Sequence, residues 1–111
     1  MSRHWAQCED LVIALGETST RWVASEGETS DADILSITAP GTLEGGTYVI
    51  EGSDDGVTAD GEFNDGSADI VVPAAGKICQ YDSFATRYWR ITGPEAVADR
   101  TFKLKKIWNA Y

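Results

Sequence analysis

Histidine occurs once in this chain, at His4, and cysteine twice, at Cys8 and Cys79. No grouping of the three has the spacing of a metal site, so zinc binding and Cys-His catalysis lack their ligands. Both thiols are read as small buried hydrophobes, with a disulfide between them left open because each lies near an expected strand. Long apolar runs are missing too: the longest, Leu11 to Leu15, falls far short of the roughly 20 residues that cross a bilayer. The start, Met1-Ser2-Arg3-His4-Trp5, has no apolar run of a secretory signal, which places synthesis in the cytoplasm. Cations are scarce over most of the chain, where residues 1–76 hold only Arg3 and Arg21 against fifteen carboxylates. Residues 77–111 reverse the balance, with seven Lys or Arg against three carboxylates, within a net charge of −9. The acidic total argues against sequence-independent binding of nucleic acid, and the last 35 residues are the one stretch to which that does not apply. Such a division suggests a protein that docks on an acidic partner through its C-terminal part.

What the chain does have is short alternation of apolar and polar residues, broken by Gly, Asp, Pro and Ser. Strands are expected at Leu11–Leu15, Thr20–Ala24, Asp33–Thr38, Gly46–Gly52, Ala68–Val72, Lys77–Tyr81, Arg87–Thr92 and Thr101–Trp108. Within them Leu35 and Ile37 share a face, as do Trp89 and Ile91, and Phe102, Leu104, Lys106 and Trp108 oppose Lys103, Lys105 and Ile107. The run Ser53 to Asp69 reads as an acidic hairpin or loop carrying at most a weak strand. The only helix candidate is one turn at Pro94–Ala98, with proline at the first helical position. Eight or so strands at spacings of about ten residues give an all-β fold, a single antiparallel sandwich over residues 1–111, jelly-roll-like, with a small closed barrel as the alternative.

Constellations for chemistry are weak. Glu51 to Glu62 superficially fits a calcium loop. However, it starts with Glu instead of Asp, has Thr58 at its eighth position and follows a strand where a helix is required. It is read as a solvated hairpin, and no metal or other cofactor is expected. Carboxylates are so many that some pair must lie close, which carries no information about glycosidic catalysis. No serine has a base, because His4 stands alone. Enzymatic activity is therefore not expected, and a small hydrolase ranks third among the functional readings.

Four tryptophans and four tyrosines in so short a chain point to core anchors and interface anchors alike. Trp22 and Trp89, inside strands, are assigned to the core. Trp5, Trp108 and Tyr111, near the ends, are candidates for partner binding together with Lys103, Lys105 and Lys106. The competing reading packs the termini on their own sandwich and uses the lysines to protect an edge strand from aggregation.

Thr47-Tyr48-Val49-Ile50-Glu51-Gly52-Ser53-Asp54-Asp55-Gly56, then Val72-Pro73-Ala74-Ala75-Gly76-Lys77 and Arg87-Tyr88-Trp89-Arg90-Ile91, resembles a sandwich pattern found in phage structural proteins. The same strand and turn grammar is similar to that of discoidin-like carbohydrate-binding modules. In size, acidity and fold grammar the chain most resembles the capsid decoration, or staple, proteins of epsilon-type short-tailed bacteriophages. That resemblance implies a virion protein on the capsid exterior, a homodimer or other homo-oligomer that bridges major capsid protein subunits without nucleic-acid or membrane contact. It assigns no residue a role. A carbohydrate-binding module of a tail or fibre is the alternative function.

Overall fold

The computed structural model describes residues 3–24, 34–63, 72–82, 84 and 86–110, with the backbone alone for 3–6, 82 and 108–110. Among them are eight strands: β1 (Arg3–Ile13), β2 (Val23–Ala24), β3 (Ile34–Thr38), β4 (Val49–Ser53), β5 (Gly61–Glu62), β6 (Ile78–Asp82), β7 (Tyr88–Thr92) and β8 (Arg100–Ala110). They form two four-stranded sheets in the orders β1-β8-β3-β6 and β2-β7-β4-β5. Every pairing is antiparallel. The pairs β1/β8, β2/β7, β3/β6 and β4/β5 are those of one long hairpin rolled up on itself, the double Greek key of a jelly roll. The expected all-β sandwich is therefore the fold.

Alternation builds the core. β3 and β7 each bury every second residue, Leu35 and Ile37 in one and Trp89 and Ile91 in the other. Phe102 and Leu104 of β8 and Leu11 and Ile13 of β1 meet them from the first sheet, and Val23 and Ile50 from the second. Each of these fully buried side chains contributes about 1.5–3 kcal/mol over leaving it in water. Phe63, Tyr81 and Phe84 close one side of the sandwich around Trp89, with Phe84 centred 5.1 Å from the Trp89 ring and 5.0 Å from Phe63.

Several expectations need correction. β1 begins at Arg3, well before Leu11, because it pairs residue for residue with all eleven positions of β8. The second strand shrinks to Val23–Ala24. Ahead of it the Thr20 hydroxyl, in place of a backbone carbonyl, accepts the Ile91 N–H at 3.2 Å, which interrupts the ladder. Trp22 is only partly buried. Val23 takes the inward position, so Trp22 points outward and carries the Arg90 guanidinium over its ring at 4.1 Å. No helix forms at Pro94–Ala98, since the Ala96 N–H is given to the Glu17 carbonyl and the Val97 N–H to the Glu44 carboxylate. Cys8 is exposed, Cys79 is partly exposed, and both are free thiols. They sit on β1 and β6, opposite edges of one sheet, about 14 Å apart by strand spacing, twice what a disulfide spans. The strand expected at Ala68–Val72 lies mostly outside the described residues.

The strands divide the connections between two ends. Residues 14–22, 39–48, 72–77 and 93–99 gather at one, the loop end. The 54–60 turn and the paired termini of β1 and β8 lie at the other. With eleven residues each, β1 and β8 are about 36 Å long, which sets the 46 Å long axis of the molecule.

Candidate functional site

The three lysines of the expected basic dock do not share one face. Lys103 and Lys105 face outward, but Lys106 lies on the core face with Leu104 and is 5% exposed. Its ammonium stands 3.4 Å from Glu9 Oε2, and the other Glu9 oxygen takes the Arg21 guanidinium. Burial pushes the Glu9 carboxyl up in pKa, but Arg21 and Lys106 together hold it below the ordinary value. Lys103 is also engaged, donating to Asp10 at 2.9 Å, with both side chains more than half in solvent. Lys105 is the one of the three that makes no ion pair among the described residues. Trp5 and Trp108 stand directly opposite each other in the β1–β8 ladder, so the backbone brings these two candidates together. Tyr111 lies outside the described residues.

The loop end is built differently, from bonds that cross between connections. Gly16 N–H donates to the Ala96 carbonyl at 2.8 Å, Ala96 N–H to Glu17 at 2.9 Å and Gly93 N–H to Thr18 at 2.8 Å. Leu15 N–H donates to Asp99 Oδ1 at 2.9 Å. On the other side Ala39 N–H reaches the Lys77 carbonyl and Gly76 N–H the Pro40 carbonyl, each at 2.9 Å. Glu44 fastens the middle. Its Oε1 accepts Arg100 Nε and Nη2 at 2.9 and 2.7 Å and the Val97 N–H at 3.3 Å, while Oε2 accepts the Tyr48 hydroxyl at 3.2 Å. Arg100 first, with the Val97 amide and the Tyr48 hydroxyl after it, lowers the Glu44 pKa to about 2 against the opposing effect of desolvation. Burial raises that of Tyr48. The Tyr48 ring lies against Gly93, where a Cβ would overlap it, and against Phe102 at 6.1 Å.

Clefts among the described residues include two of note. One of about 410 Å³ runs between Leu43–Tyr48 and Val72–Ala75. It is walled by apolar groups, and its polar ones, Glu44 and Tyr48, are bonded to each other. The other, about 210 Å³, is lined by Gly52, Asp60, Gly61, Glu62, Phe63 and Thr86. Asp60 and Glu62 are both exposed, whereas glycosidic acid–base chemistry needs one carboxyl withdrawn from water. Comparison with family models, with curated proteins and with solved structures finds no match. The geometry alone therefore bears on function.

In the acidic hairpin the carboxylates cap their own backbone. Asp55 Oδ1 accepts the N–H groups of Val57 and Thr58 at 2.8 and 2.9 Å, and Asp60 Oδ2 accepts that of Asp54 at 2.9 Å. The Thr58 and Val57 amides and the Ser53 hydroxyl hold the Asp55 carboxyl below its ordinary pKa. The fully buried Ser53 hydroxyl lies 2.7 Å from the Thr58 carbonyl and accepts the Gly56 N–H at 3.0 Å. No cluster of three or more metal-ligating side chains occurs among the described residues. Their aromatic side chains are all buried or half-buried, so none forms the open platform a glycan stacks on. Sequence reasoning missed Glu44, Arg100, Leu15 and Val97. The alternation placed Leu15 in a strand, which ends at Ile13, and the proline placed Val97 in a helical turn, which does not form; only the glycines and prolines near them signalled breaks in the strands.

Proposed function

We propose that this chain is a structural, non-enzymatic docking protein, in the setting its resemblance implies. It binds the outer surface of an icosahedral phage capsid and stabilises the shell by bridging major capsid subunits, with a second copy of itself as a further partner. The observation that carries the reading is the knitting of the loop end. Connections far apart in sequence are fastened by backbone bonds and by a largely desolvated Glu44–Arg100 pair, so loops that would otherwise flex are held rigid. A shell under outward pressure needs stiff lateral ties, and many identical copies make a modest contact firm. The acidic exterior discourages adventitious binding to nucleic acid.

The test is to add the purified protein to shells prepared without it, pellet them, and heat decorated and bare shells in parallel. The expected result is co-sedimentation and a higher temperature of shell rupture. Equal heat resistance with and without the protein would sink the idea.

A further inference from the structure

We infer that the loop end is the docking surface, and that it fits a protein partner offering an apolar socket framed by lysine or arginine. The inference rests on the shell reading for the partner's identity and adds to it the surface and its chemistry. Five large hydrophobic side chains are exposed among the described residues: Val12, Leu15, Val57, Ile78 and Val97. All but Val57 lie at the loop end. Val97, Ile78 and Leu15 stand out furthest there, 72%, 66% and 65% exposed, and of these Leu15 and Val97 lie on the β1–β2 and β7–β8 connections. These are not loose tips. Residues 14–17 and 96–99 run side by side through Gly16 to Ala96, Ala96 to Glu17 and Leu15 to Asp99, and the Val97 amide is anchored on Glu44. The ordering cost of presenting two apolar prongs is thus met before any partner arrives.

Charge selects the partner. Glu17, Glu95 and Asp99 are exposed on the same two connections, whose single cation, Arg21, is paired with Glu9, while Arg100 is spent on Glu44. A second copy docking by this end would set carboxylates against carboxylates, and nucleic acid or an anionic membrane would be repelled in the same way. A basic frame around an apolar socket satisfies both features. The C-terminal strand offers less, with Lys106 buried and Lys103 paired.

The experiment titrates four proteins onto shells prepared without the decoration protein, read by sedimentation. They are wild type, Leu15→Ser with Val97→Ser, Glu17→Lys with Glu95→Lys, and Lys103→Glu with Lys105→Glu. The expected result is a loss of affinity of about 30-fold or more for the apolar pair. The acid-to-lysine pair weakens binding in a salt-dependent way, and the lysine-to-glutamate pair stays within about threefold of wild type. Because both prongs point into solvent, the serine variants should melt with wild type, and each single serine change should show part of the loss. Wild type bound and the serine pair bound equally well would overturn the surface while leaving the shell reading in place. Serine substitutions that abolish self-association of the free protein but leave shell binding intact would overturn it as well, marking a contact between copies. Wild type that fails to bind shells brings down both.

Discussion

The loop end and the β1–β8 ladder use their charges for different purposes. At the loop end Glu44 and Arg100 are 13% and 16% exposed, and a single carboxylate gathers a guanidinium, a backbone amide and a phenol from two stretches of the chain. Within the β1–β8 ladder Lys103 and Asp10 meet across two strands that eleven ladder positions already hold together, and their pair lies mostly in solvent. An exposed pair of that kind contributes about 0–1 kcal/mol. A charge withdrawn from water shapes the backbone around it, whereas a charge left in water decorates a backbone shaped by something else. A count of lysines along β8 therefore says little about a basic surface.

The sharpest way to break the comparison is to treat neighbouring lysines alike. Lys106→Glu would place a second carboxylate beside Glu9 at a buried position, and breaking a buried pair costs about 3–5 kcal/mol. Lys105→Glu, one residue away on the outward face, should stay within about 0.5 kcal/mol of wild type. Urea denaturation of both variants checks this, and equal losses would mean that the β1–β8 ladder depends on charge as the loop end does.

Next in size is Gly93→Ala. The added methyl overlaps the Tyr48 ring, and Tyr48 is fixed by Glu44 behind it and Phe102 below, so the overpacking should cost about 1–3 kcal/mol. Adding Tyr48→Leu should recover part of the loss, because the ring is then gone. A Gly93→Ala protein that melts with wild type would show that the loop end yields where the geometry holds it rigid.

The sequence made one of these regions more legible than the other. Leu35 with Ile37, Trp89 with Ile91 and Phe102 with Leu104 announce their faces by period-two alternation, and the sheets follow from them. The same alternation places Lys106 inward. Composition alone grouped it with its outward neighbours, and only the register shows Glu9 within reach. Arg3 to Asp10 carries no apolar alternation and becomes strand through β8, a tertiary effect on a segment with no strong local preference. The loop end was invisible for a simpler reason. Leu15 and Asp99 are 84 residues apart and Glu44 and Arg100 are 56 apart, distances over which no periodicity connects residues.

Acid offers the finest discrimination between the two regions. Glu44 has its pKa lowered from 4.5 to about 2 by Arg100 first, so the folded state favours its charged form. A depressed carboxylate of this kind contributes stability above the unfolded value, near 4.5, and loses it as pH falls through the folded value, near 2. Glu44→Gln removes that contribution at neutral pH and has nothing left to lose at pH 2. Wild type should thus melt higher than Glu44→Gln at pH 7, with the gap narrowing steadily between about pH 4.5 and about pH 2. Asp10→Asn, which cuts the solvent-exposed pair with Lys103, should give only a small gap at pH 7. If the two variants trace the same curve, the loop end has no privileged charge. The stiffness attributed to Glu44 must then come from the backbone bonds around it.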